Sequence, residues 1–261
     1  MRVMVIGSKG MLGQEVMIEL TKHPHAYKGF CHKDLDIIEF NQVKGAVRDY
    51  KPDVVINCAG LVKGVSDDGT MYMAVNTLGP INIASACDAI DARLIQVSTD
   101  CVFTGKNGPY KENDTADAED LYGKSKLDGE ITRYPHLTIR TSFVGFGKHG
   151  LLNWAMRQKG VIPGYIDSLW NGLTSREVAK VLVSMIDKDY CYGLLHLGTW
   201  RTIDKYYLLQ LIKKVFNLPY EVEECSAPDY MKGNKALFSK RRNWDLPLIE
   251  TMLYELKHSR L

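Results

Sequence analysis

Two side chains with complementary acid–base chemistry, Tyr122 and Lys126, are four residues apart in a segment with helical character. At this spacing both lie on one face of a helix, with their Cβ atoms about 5–6 Å apart. The pKa of a free tyrosine is about 10, and a nearby ammonium lowers it by favouring the phenolate. The pair is therefore predicted to exchange a proton near neutral pH, while Lys124 faces another side of the helix.

A hydroxyl that could hold a carbonyl oxygen follows a buried strand. The run 93–98 is predicted to be an internal strand, and Thr99 lies at its carboxyl end, where ligands bind in open α/β sheets. A hydroxyl there can hydrogen-bond a substrate oxygen and orient it. A Tyr-x-x-x-Lys pair is common by chance, so the prediction of a catalytic set depends on its combination with Thr99 and with a glycine loop.

That glycine loop connects the first predicted strand, 2–6, to the first predicted helix, 11–22. Such a turn brings a backbone without Cβ atoms, and the amino end of a helix, against the pyrophosphate of a dinucleotide. The alternative is a tight turn with no ligand, but the position of the loop in the first βα unit favours the dinucleotide. The residues predicted to contact the cofactor here are Gly7, Gly10, Met11, Leu12 and Gly13.

The end of the second predicted strand, 27–31, bears on the choice between NAD and NADP. An acidic residue there would bind the ribose 2′-hydroxyl of NAD, but the chain has His32 and Lys33, which could pair with a 2′-phosphate. NADP(H) is therefore favoured, with NAD(H) as the alternative, although His32 and Lys33 could also be ordinary loop residues. Asp36 and Ile37 follow in a place suited to the adenine edge.

The order of the predicted elements indicates an α/β fold. Apolar strands at 2–6, 27–31, 54–57, 93–98 and 137–140 alternate with helices at 11–22, 41–50, 71–88 and 121–133. Strands that are apolar throughout are typical of a sheet covered on both faces, which predicts a Rossmann-type doubly wound parallel sheet. We assign residues 1–145 to a dinucleotide-binding domain. Residues 146–261, with predicted helices at 175–186 and 203–216, form a smaller α+β substrate lobe that could be interleaved with the first domain.

The composition is that of an ordinary soluble globular protein. Of 261 residues, 45% are hydrophobic and 25% are charged, and the net charge of +2 indicates no face for nucleic acid. Apolar runs are shorter than the roughly eighteen residues of a membrane span. The six cysteines are scattered without a CxxC pair, which disfavours a zinc site or a disulfide framework and favours the cytoplasm. No metal site is predicted, and a homodimer is left open.

Eight segments of the chain together resemble the extended short-chain dehydrogenase/reductase superfamily and, within it, the dTDP-4-dehydrorhamnose reductase family. These segments are 5–10, 34–37, 52–59, 75–76, 98–105, 109–112, 122–130 and 140–142. They cover most of residues 1–145, whereas the last hundred or so residues match only in general pattern.

The resemblance implies reduction of the 4-keto group of a 6-deoxy sugar that is linked to a nucleoside diphosphate, so the partner is a small-molecule nucleotide sugar. By this resemblance Tyr122 is the proton donor, Lys126 its tuning partner and Thr99 the hydroxyl that holds the keto oxygen. The further cofactor residues carried over are Cys58, Ala59, Gly60, Asn76, Ser98, Thr141, Ser142 and Phe143, with Asn76 supporting Lys126 through water. The diphosphate is assigned to the second lobe, with Arg157, Lys159, Arg176 and Arg201 as candidates.

Three departures from the family pattern lie where these reductases bind substrate. Cys101 stands where the family has a tyrosine, Thr104 replaces an acidic residue, and the run 164–174 lacks the usual Asp-Gln-x-Gly-x-Pro-Thr sequence. The sugar and the nucleoside are therefore left open.

Other functions were weighed against reduction. A 4,6-dehydratase is disfavoured because Cys101 occupies the place of its glutamate. A sugar-nucleotide epimerase needs the same Tyr/Lys pair and would carry bound NAD after purification. A non-catalytic NADP-binding regulatory subunit, like the accessory chains of methionine adenosyltransferase, is disfavoured by the intact set of Thr99, Tyr122 and Lys126.

Overall fold

A parallel sheet of six strands forms the centre of the computed structural model, which describes residues 1–66, 68–188 and 191–259. The strands are β1 (Arg2–Ile6), β2 (Ala26–Phe30), β3 (Val54–Asn57), β4 (Arg93–Thr99), β5 (Leu137–Thr141) and, late in the chain, β10 (Gly193–Leu197). Their spatial order is β10-β5-β4-β3-β1-β2, and the pairings are parallel. The predicted α/β fold with a doubly wound sheet is confirmed.

The sheet is buried on both faces, as the uninterrupted apolar strands predicted. In β1, Val3 and Val5 belong to one hydrophobic cluster, whereas Met4 and Ile6 belong to the cluster on the opposite face. Successive side chains of a strand point to opposite faces, so both clusters need helices to cover them.

Nine α-helices are found in the described part of the chain. They are α1 (Met11–Leu20), α2 (Phe40–Tyr50), α3 (Gly69–Met73), α4 (Gly79–Asp88), α5 (Leu121–Asp128), α6 (Leu151–Ala155), α7 (Ser175–Ser184), α8 (Lys205–Phe216) and α9 (Ile249–His258). Helices α1 and α7 contact each other, and so do α2 and α4. Val16 of α1 and Val178 of α7 lie in the first cluster, while Val47 of α2 and Ile83 of α4 lie in the second.

Two of the predicted helices differ from the structure by more than two residues. The predicted helix 71–88 is three segments, because a π-helix, Ala74–Leu78, separates α3 from α4. The predicted helix 121–133 ends at Asp128. A Cβ atom at Gly129 would lie 1.9 Å from the carbonyl oxygen of Asn76, so the chain leaves the helix where its backbone packs on the π-helix.

The second half of the chain forms small sheets and also completes the large one. Its short strands are β6 (Phe143–Val144), β7 (Gly160–Tyr165), β8 (Ser168–Trp170), β9 (Leu173–Thr174), β11 (Ile203–Asp204), β12 (Tyr220–Cys225) and β13 (Gly233–Asn234). They pair as β11-β8-β13, β12-β7 and β6-β9. Because β10 joins the edge of the six-stranded sheet and α7 packs on α1, residues after 145 contribute to the first domain, and the division at 145 stays a prediction. No helix among the described residues is long and apolar enough to cross a membrane.

Candidate active site

The glycine loop packs so closely that side chains have no room in it. Gly7 has a φ of 78°, and a Cβ there would lie 2.6 Å from the amide nitrogen of Ala59. A Cβ at Gly13 would lie 2.1 Å from the carbonyl oxygen of Gly7. Helix α1 begins directly after Gly10, which offers no side chain to cap it, so the backbone at this helix terminus is open to an anion.

Lys126 lies under the carboxyl end of β4. Its side chain is 8% exposed, and its ammonium donates a hydrogen bond to the carbonyl oxygen of Val97 at 2.7 Å. Burial lowers the pKa of Lys126 to about 8, although the charges of Glu130 and Cys58 act in the opposite direction. A Cβ placed on Gly60 would lie 3.7 Å from the ammonium, so Lys126 also borders the loop that contacts Gly7 through Ala59.

Tyr122 lies on the same side of α5 and reaches Thr99. Asp120 caps the helix, since its carboxylate accepts a hydrogen bond from the amide of Gly123 at 2.7 Å. The Tyr122 phenol lies close enough to the Thr99 hydroxyl for that hydroxyl to lower its pKa. The Thr99 hydroxyl itself donates to the Asp100 carboxylate at 3.2 Å and accepts from the amide of Cys101 at 3.2 Å. The structure therefore brings the three predicted catalytic side chains to one end of β4.

The pKa of Tyr122 is shifted in the direction opposite to the sequence prediction. Burial raises its pKa, the neighbouring charge of Cys101 raises it further, and the nearby Thr99 hydroxyl lowers it by a smaller amount. The pKa therefore moves upward, opposite to the direction predicted from Lys126, because the Lys126 ammonium is directed at the Val97 carbonyl and burial dominates at the phenol.

A buried ion pair behind β4 was missed by the sequence analysis. Glu130 accepts hydrogen bonds from Arg140 Nε and Nη2, both at 2.7 Å, and from the Ser98 hydroxyl at 2.7 Å. The Glu130 and Arg140 side chains are both at most 6% exposed. Ser98, predicted to contact the cofactor, thus turns its hydroxyl to Glu130 and helps to fix the strand before Thr99.

Asn76 connects the loop after β3 to α5. Its side-chain oxygen accepts from the amide of Leu61 at 2.9 Å, and its amide nitrogen donates to the Leu61 carbonyl and the Ser125 hydroxyl, both at 3.1 Å. Ser125 is the neighbour of Lys126, so Asn76 supports the lysine through protein contacts. The π-helix that contains Asn76 is a common feature of functional sites.

The residues predicted for the adenine and ribose lie around the end of β2. His32 and Lys33 are exposed, and Asp36 is half-buried, with its carboxylate accepting from the Ile38 amide at 3.2 Å. Ile37 is buried against Gly79, whose Cβ would come within 2.5 Å of it, so its side chain belongs to the packing of α4.

The residues predicted to line the cofactor after the third strand and to flank the nicotinamide lie at the carboxyl ends of β3 and β5. Burial raises the pKa of the half-buried Cys58 thiol to about 12. Thr141 is 2% exposed, and its hydroxyl has no hydrogen-bond partner among the residues that the structure describes. The Ser142 hydroxyl accepts from the indole of Trp170 at 2.8 Å, which draws the second lobe onto this end of the sheet, while Phe143 is half-buried in β6.

Of the four basic residues predicted for the diphosphate, Arg201 lines a cavity of about 520 Å³ together with Tyr206 and Tyr207. Arg176 instead lies 3.6 Å from Glu15, which is buried between α1 and α7. Arg157 and Lys159 are exposed beside β7. The ammonium of Lys205 lies 4.6 Å from the ring centre of Trp170, a contact that no motif in the sequence indicated.

Among the described residues, no group of three or more His, Cys, Asp or Glu side chains is arranged to hold a metal ion.

A doubly wound parallel sheet with a glycine-lined βα turn, and with a tyrosine–lysine pair at the end of its fourth strand, defines the class of extended short-chain dehydrogenase/reductase folds. Within this class, the chain belongs to the family described as "RmlD substrate binding domain", whose profile matches residues 1–235.

Curated relatives of the chain include proteins of different kinds. A dTDP-4-dehydrorhamnose reductase of Streptomyces griseus is 39% identical over 132 residues, which are 49% of this chain and 43% of that protein. The match thus spans less than half of that reductase. The spore coat polysaccharide biosynthesis protein SpsK of Bacillus subtilis is 32% identical over 245 residues, or 90% of this chain and 85% of that protein. Methionine adenosyltransferase 2 subunit beta of Danio rerio is 27% identical over 241 residues, or 84% of this chain and 75% of that protein.

Solved structures share the fold along the whole chain. The dTDP-4-dehydrorhamnose reductase of Bacillus anthracis str. Ames, in complex with NADP, has a TM-score of 0.87 and 23% identity, and the match covers 99% of each chain.

Proposed function

We propose that this protein is an NADPH-dependent reductase of a nucleoside-diphosphate 4-keto-6-deoxy sugar. The observation that carries the proposal is the convergence of Thr99, Tyr122 and Lys126 at the carboxyl end of β4, next to the loop of Gly60 that adjoins the glycine turn. The reductase of Streptomyces griseus supports the substrate class, and the NADP complex of the Bacillus anthracis reductase supports the cofactor.

The residues of the cleft fit a dinucleotide. The close packing at Gly7 and Gly13 leaves a backbone cradle at the start of α1 that a Cβ would fill, and the buried Thr141 hydroxyl has no hydrogen-bond partner in the described part of the chain. The exposed His32 and Lys33 would pair with the 2′-phosphate of NADP, and NAD(H) is the alternative. A bound NADPH would supply the hydride for C4 of the sugar and become NADP⁺.

The protein supplies the proton and the positioning. Thr99 would hydrogen-bond the C4 keto oxygen, and Tyr122 would transfer its proton to that oxygen as the C4–H bond forms, which leaves an alcohol and a phenolate. A half-buried phenol with a raised pKa keeps its proton until the oxygen becomes negative. Lys126, whose ammonium is held by the Val97 carbonyl and borders the loop of Gly60, would contact the ribose of the cofactor.

Turnover of a panel of substrates tests the proposal. Protein is mixed with NADPH or NADH and with dTDP-, UDP-, GDP- or CDP-linked 4-keto-6-deoxy sugars, and the loss of reduced-cofactor absorbance is followed. We expect oxidation with at least one sugar, faster with NADPH. The absence of oxidation with every sugar, in protein that binds NADP, would refute the reductase.

A regulatory subunit is the second candidate, because the Danio rerio relative is named as a subunit of methionine adenosyltransferase. That function predicts NADP binding without turnover and recovery of a methionine adenosyltransferase with the tagged chain from the cells that make it. An epimerase, the third alternative, predicts NAD that stays bound through purification.

A further inference from the structure

A second tyrosine contacts the proposed proton donor from the side of α3. The rings of Tyr72 and Tyr122 meet edge to face, with their centroids 6.1 Å apart and their planes at 66°. Tyr72 is 4% exposed and is the buried residue of its short helix, whereas its neighbours Met71 and Met73 are exposed. Aromatic rings attract each other in this arrangement, so the Tyr72 ring supports one side of the Tyr122 ring.

The hydroxyl of Tyr72 holds the loop that follows β3. It donates a hydrogen bond to the carbonyl oxygen of Val62 at 3.1 Å and accepts one from the amide of Gly64 at 3.0 Å. The backbone of a single loop thus uses both the donor and the acceptor of this hydroxyl. Tyr72 therefore contacts the Tyr122 ring with its own ring and the loop with its hydroxyl.

The same loop is tied to the helix that carries the proposed proton donor. The ammonium of Lys63 lies 2.7 Å from the carboxylate of Asp120, which caps α5. Leu61 pairs with Asn76 through both its amide and its carbonyl group. Residues 61–64 are therefore held one after another by side chains of α3, the π-helix and the start of α5, so these elements form one unit around the phenol.

The polar groups of Lys126 and Thr99 are directed at β4 and its end, and not along the Tyr122 ring. The Lys126 ammonium donates to a backbone carbonyl of β4, and the Thr99 hydroxyl donates to the carboxylate of Asp100 at 3.2 Å. In the described part of the chain, the aromatic ring that contacts Tyr122 is that of Tyr72. Without this ring, one side of the phenol would be open and the side chain could rotate away from Thr99.

We propose that Tyr72 is a positioning residue for the proton donor: its ring holds the Tyr122 ring with the phenol near Thr99, and its hydroxyl holds the loop 61–64. The inference rests on the proposed function, in which Tyr122 delivers a proton to the C4 oxygen. A proton is transferred only across a hydrogen-bond distance. A displaced phenol therefore slows the reaction more than it weakens substrate binding.

Kinetics of substitutions at Tyr72 test the inference. Tyr72→Leu and Tyr72→Met remove the ring and leave different volumes, and circular dichroism shows whether each variant is folded. We expect kcat with a keto sugar to fall at least about tenfold, within the range that a misplaced reacting group costs, while KM changes less than about threefold. Tyr72→Phe keeps the ring, so its kcat should stay close to that of wild type.

Substitutions at Tyr220 are the matched controls. Tyr220 is fully buried in β12 of the second lobe, and its hydroxyl donates to the carbonyl oxygen of Leu209 at 3.1 Å. Tyr220→Leu and Tyr220→Phe should lower the melting temperature and leave kcat unchanged. A fall in kcat as large in Tyr220→Leu as in Tyr72→Leu would show a general loss of stability and overturn the positioning role.

Amide hydrogen exchange separates the ring of Tyr72 from its hydroxyl. Tyr72→Phe loses both hydrogen bonds to the loop, so peptides that cover residues 61–66 should exchange faster than in wild type although kcat is kept. Unchanged exchange, or a kcat as low as that of Tyr72→Leu, would overturn this division between ring and hydroxyl.

Nitration of tyrosines by tetranitromethane gives a readout that does not depend on turnover. Peptide mass spectrometry measures the modification of Tyr122 relative to that of Tyr134, which is 72% exposed. We expect the relative rate to rise severalfold in Tyr72→Leu, because loss of the ring opens the half-buried phenol to the reagent, and to stay unchanged in Tyr72→Phe.

The outcomes separate this inference from the proposed function. If Tyr122 becomes more reactive in Tyr72→Leu but wild type reduces no keto sugar, the positioning of Tyr122 stands and the reductase falls. If keto sugar is reduced and Tyr72→Leu keeps both the kcat and the nitration rate of wild type, the reductase stands and the positioning role falls.

Discussion

The Lys126 ammonium donates a hydrogen bond to the carbonyl oxygen of Val97 across 2.7 Å, which ties α5 to β4 two residues before Thr99. Burial of this cation at the edge of the sheet lowers its pKa to about 8. The buried charge of Lys126 therefore costs stability, as is common where a side chain serves a function, and this fits its proposed role at the active site.

Tyr122→Phe tests the proposed proton donor. We expect kcat to fall by about 10²–10⁴, the usual contribution of a positioned acid, because phenylalanine keeps the ring and loses the proton. The Kd of NADPH and the melting temperature should stay close to those of wild type. The control is Tyr134→Phe, at a side chain that is 72% exposed. A Tyr122→Phe enzyme with wild-type kcat would exclude the role.

Lys126→Met should stabilise the fold and abolish activity. Folding lowers the pKa of Lys126 from 10.5 to about 8, so wild type carries the full cost of the buried charge below pH 8 and none above pH 10.5. The advantage of the variant in free energy of unfolding should therefore shrink by about 3 kcal/mol as the pH rises from 8 to 10.5. Urea unfolding at both pH values measures the change, and a constant difference would contradict the buried charge.

Glu130→Gln should destabilise the protein by about 3 kcal/mol, because it leaves the buried Arg140 without its full counter-charge. Asp128→Asn, at an exposed position of the same segment, is the matched control and should change stability by less than about 0.5 kcal/mol. Denaturant unfolding near neutral pH gives both values. Equal effects of the two substitutions would show that the ion pair behind β4 contributes little.

Gly13→Ala should abolish dinucleotide binding, because its Cβ would lie 2.1 Å from the Gly7 carbonyl oxygen and force the loop open. Gly45→Ala is the contrasting glycine, since its Cβ would meet nothing within 4 Å in the middle of α2. It should raise stability by about 0.5–1 kcal/mol and leave the Kd of NADPH unchanged. Tight NADPH binding by Gly13→Ala would reject the glycine loop as the cradle.

Lys33→Glu tests the choice between the two cofactors. An acidic residue at the end of β2 repels a 2′-phosphate and suits a ribose 2′-hydroxyl, so the KM of NADPH should rise about tenfold relative to that of NADH. Lys44→Glu, at an exposed position of α2, controls for the change in net charge. If the ratio of the two KM values does not move, Lys33 is an ordinary loop residue.

Local patterns in the sequence predicted much of the first half of the chain. The apolar runs of β1 and β3 predict strands, and the glycines between β1 and α1 predict a turn, each to within a few residues. These predictions hold because hydrophobic periodicity and backbone sterics depend only on neighbouring residues. The spacing of Tyr122 and Lys126 likewise places both side chains on one face of α5, whatever the other segments of the chain do.

Contacts between residues that are distant in sequence decided the features of the site that local patterns did not predict. Gly129 ends α5 because the Asn76 backbone lies against it, and Glu130 is buried only because Arg140 and Ser98 arrive from two strands. The upward pKa shift of Tyr122 follows from burial, which depends on everything that packs around the phenol.

The sequence by itself determined the strand–turn–helix that forms the proposed dinucleotide cradle and the chemical types of Thr99, Tyr122 and Lys126. Only the tertiary structure decided that the Lys205 ammonium lies over the ring of Trp170, and that β10 returns to the central sheet. The physical reason is that helices, strands and turns depend on the hydrogen-bond geometry and hydrophobic periodicity of neighbouring residues. Desolvation and charge–charge contacts, in contrast, depend on which distant segments fold together.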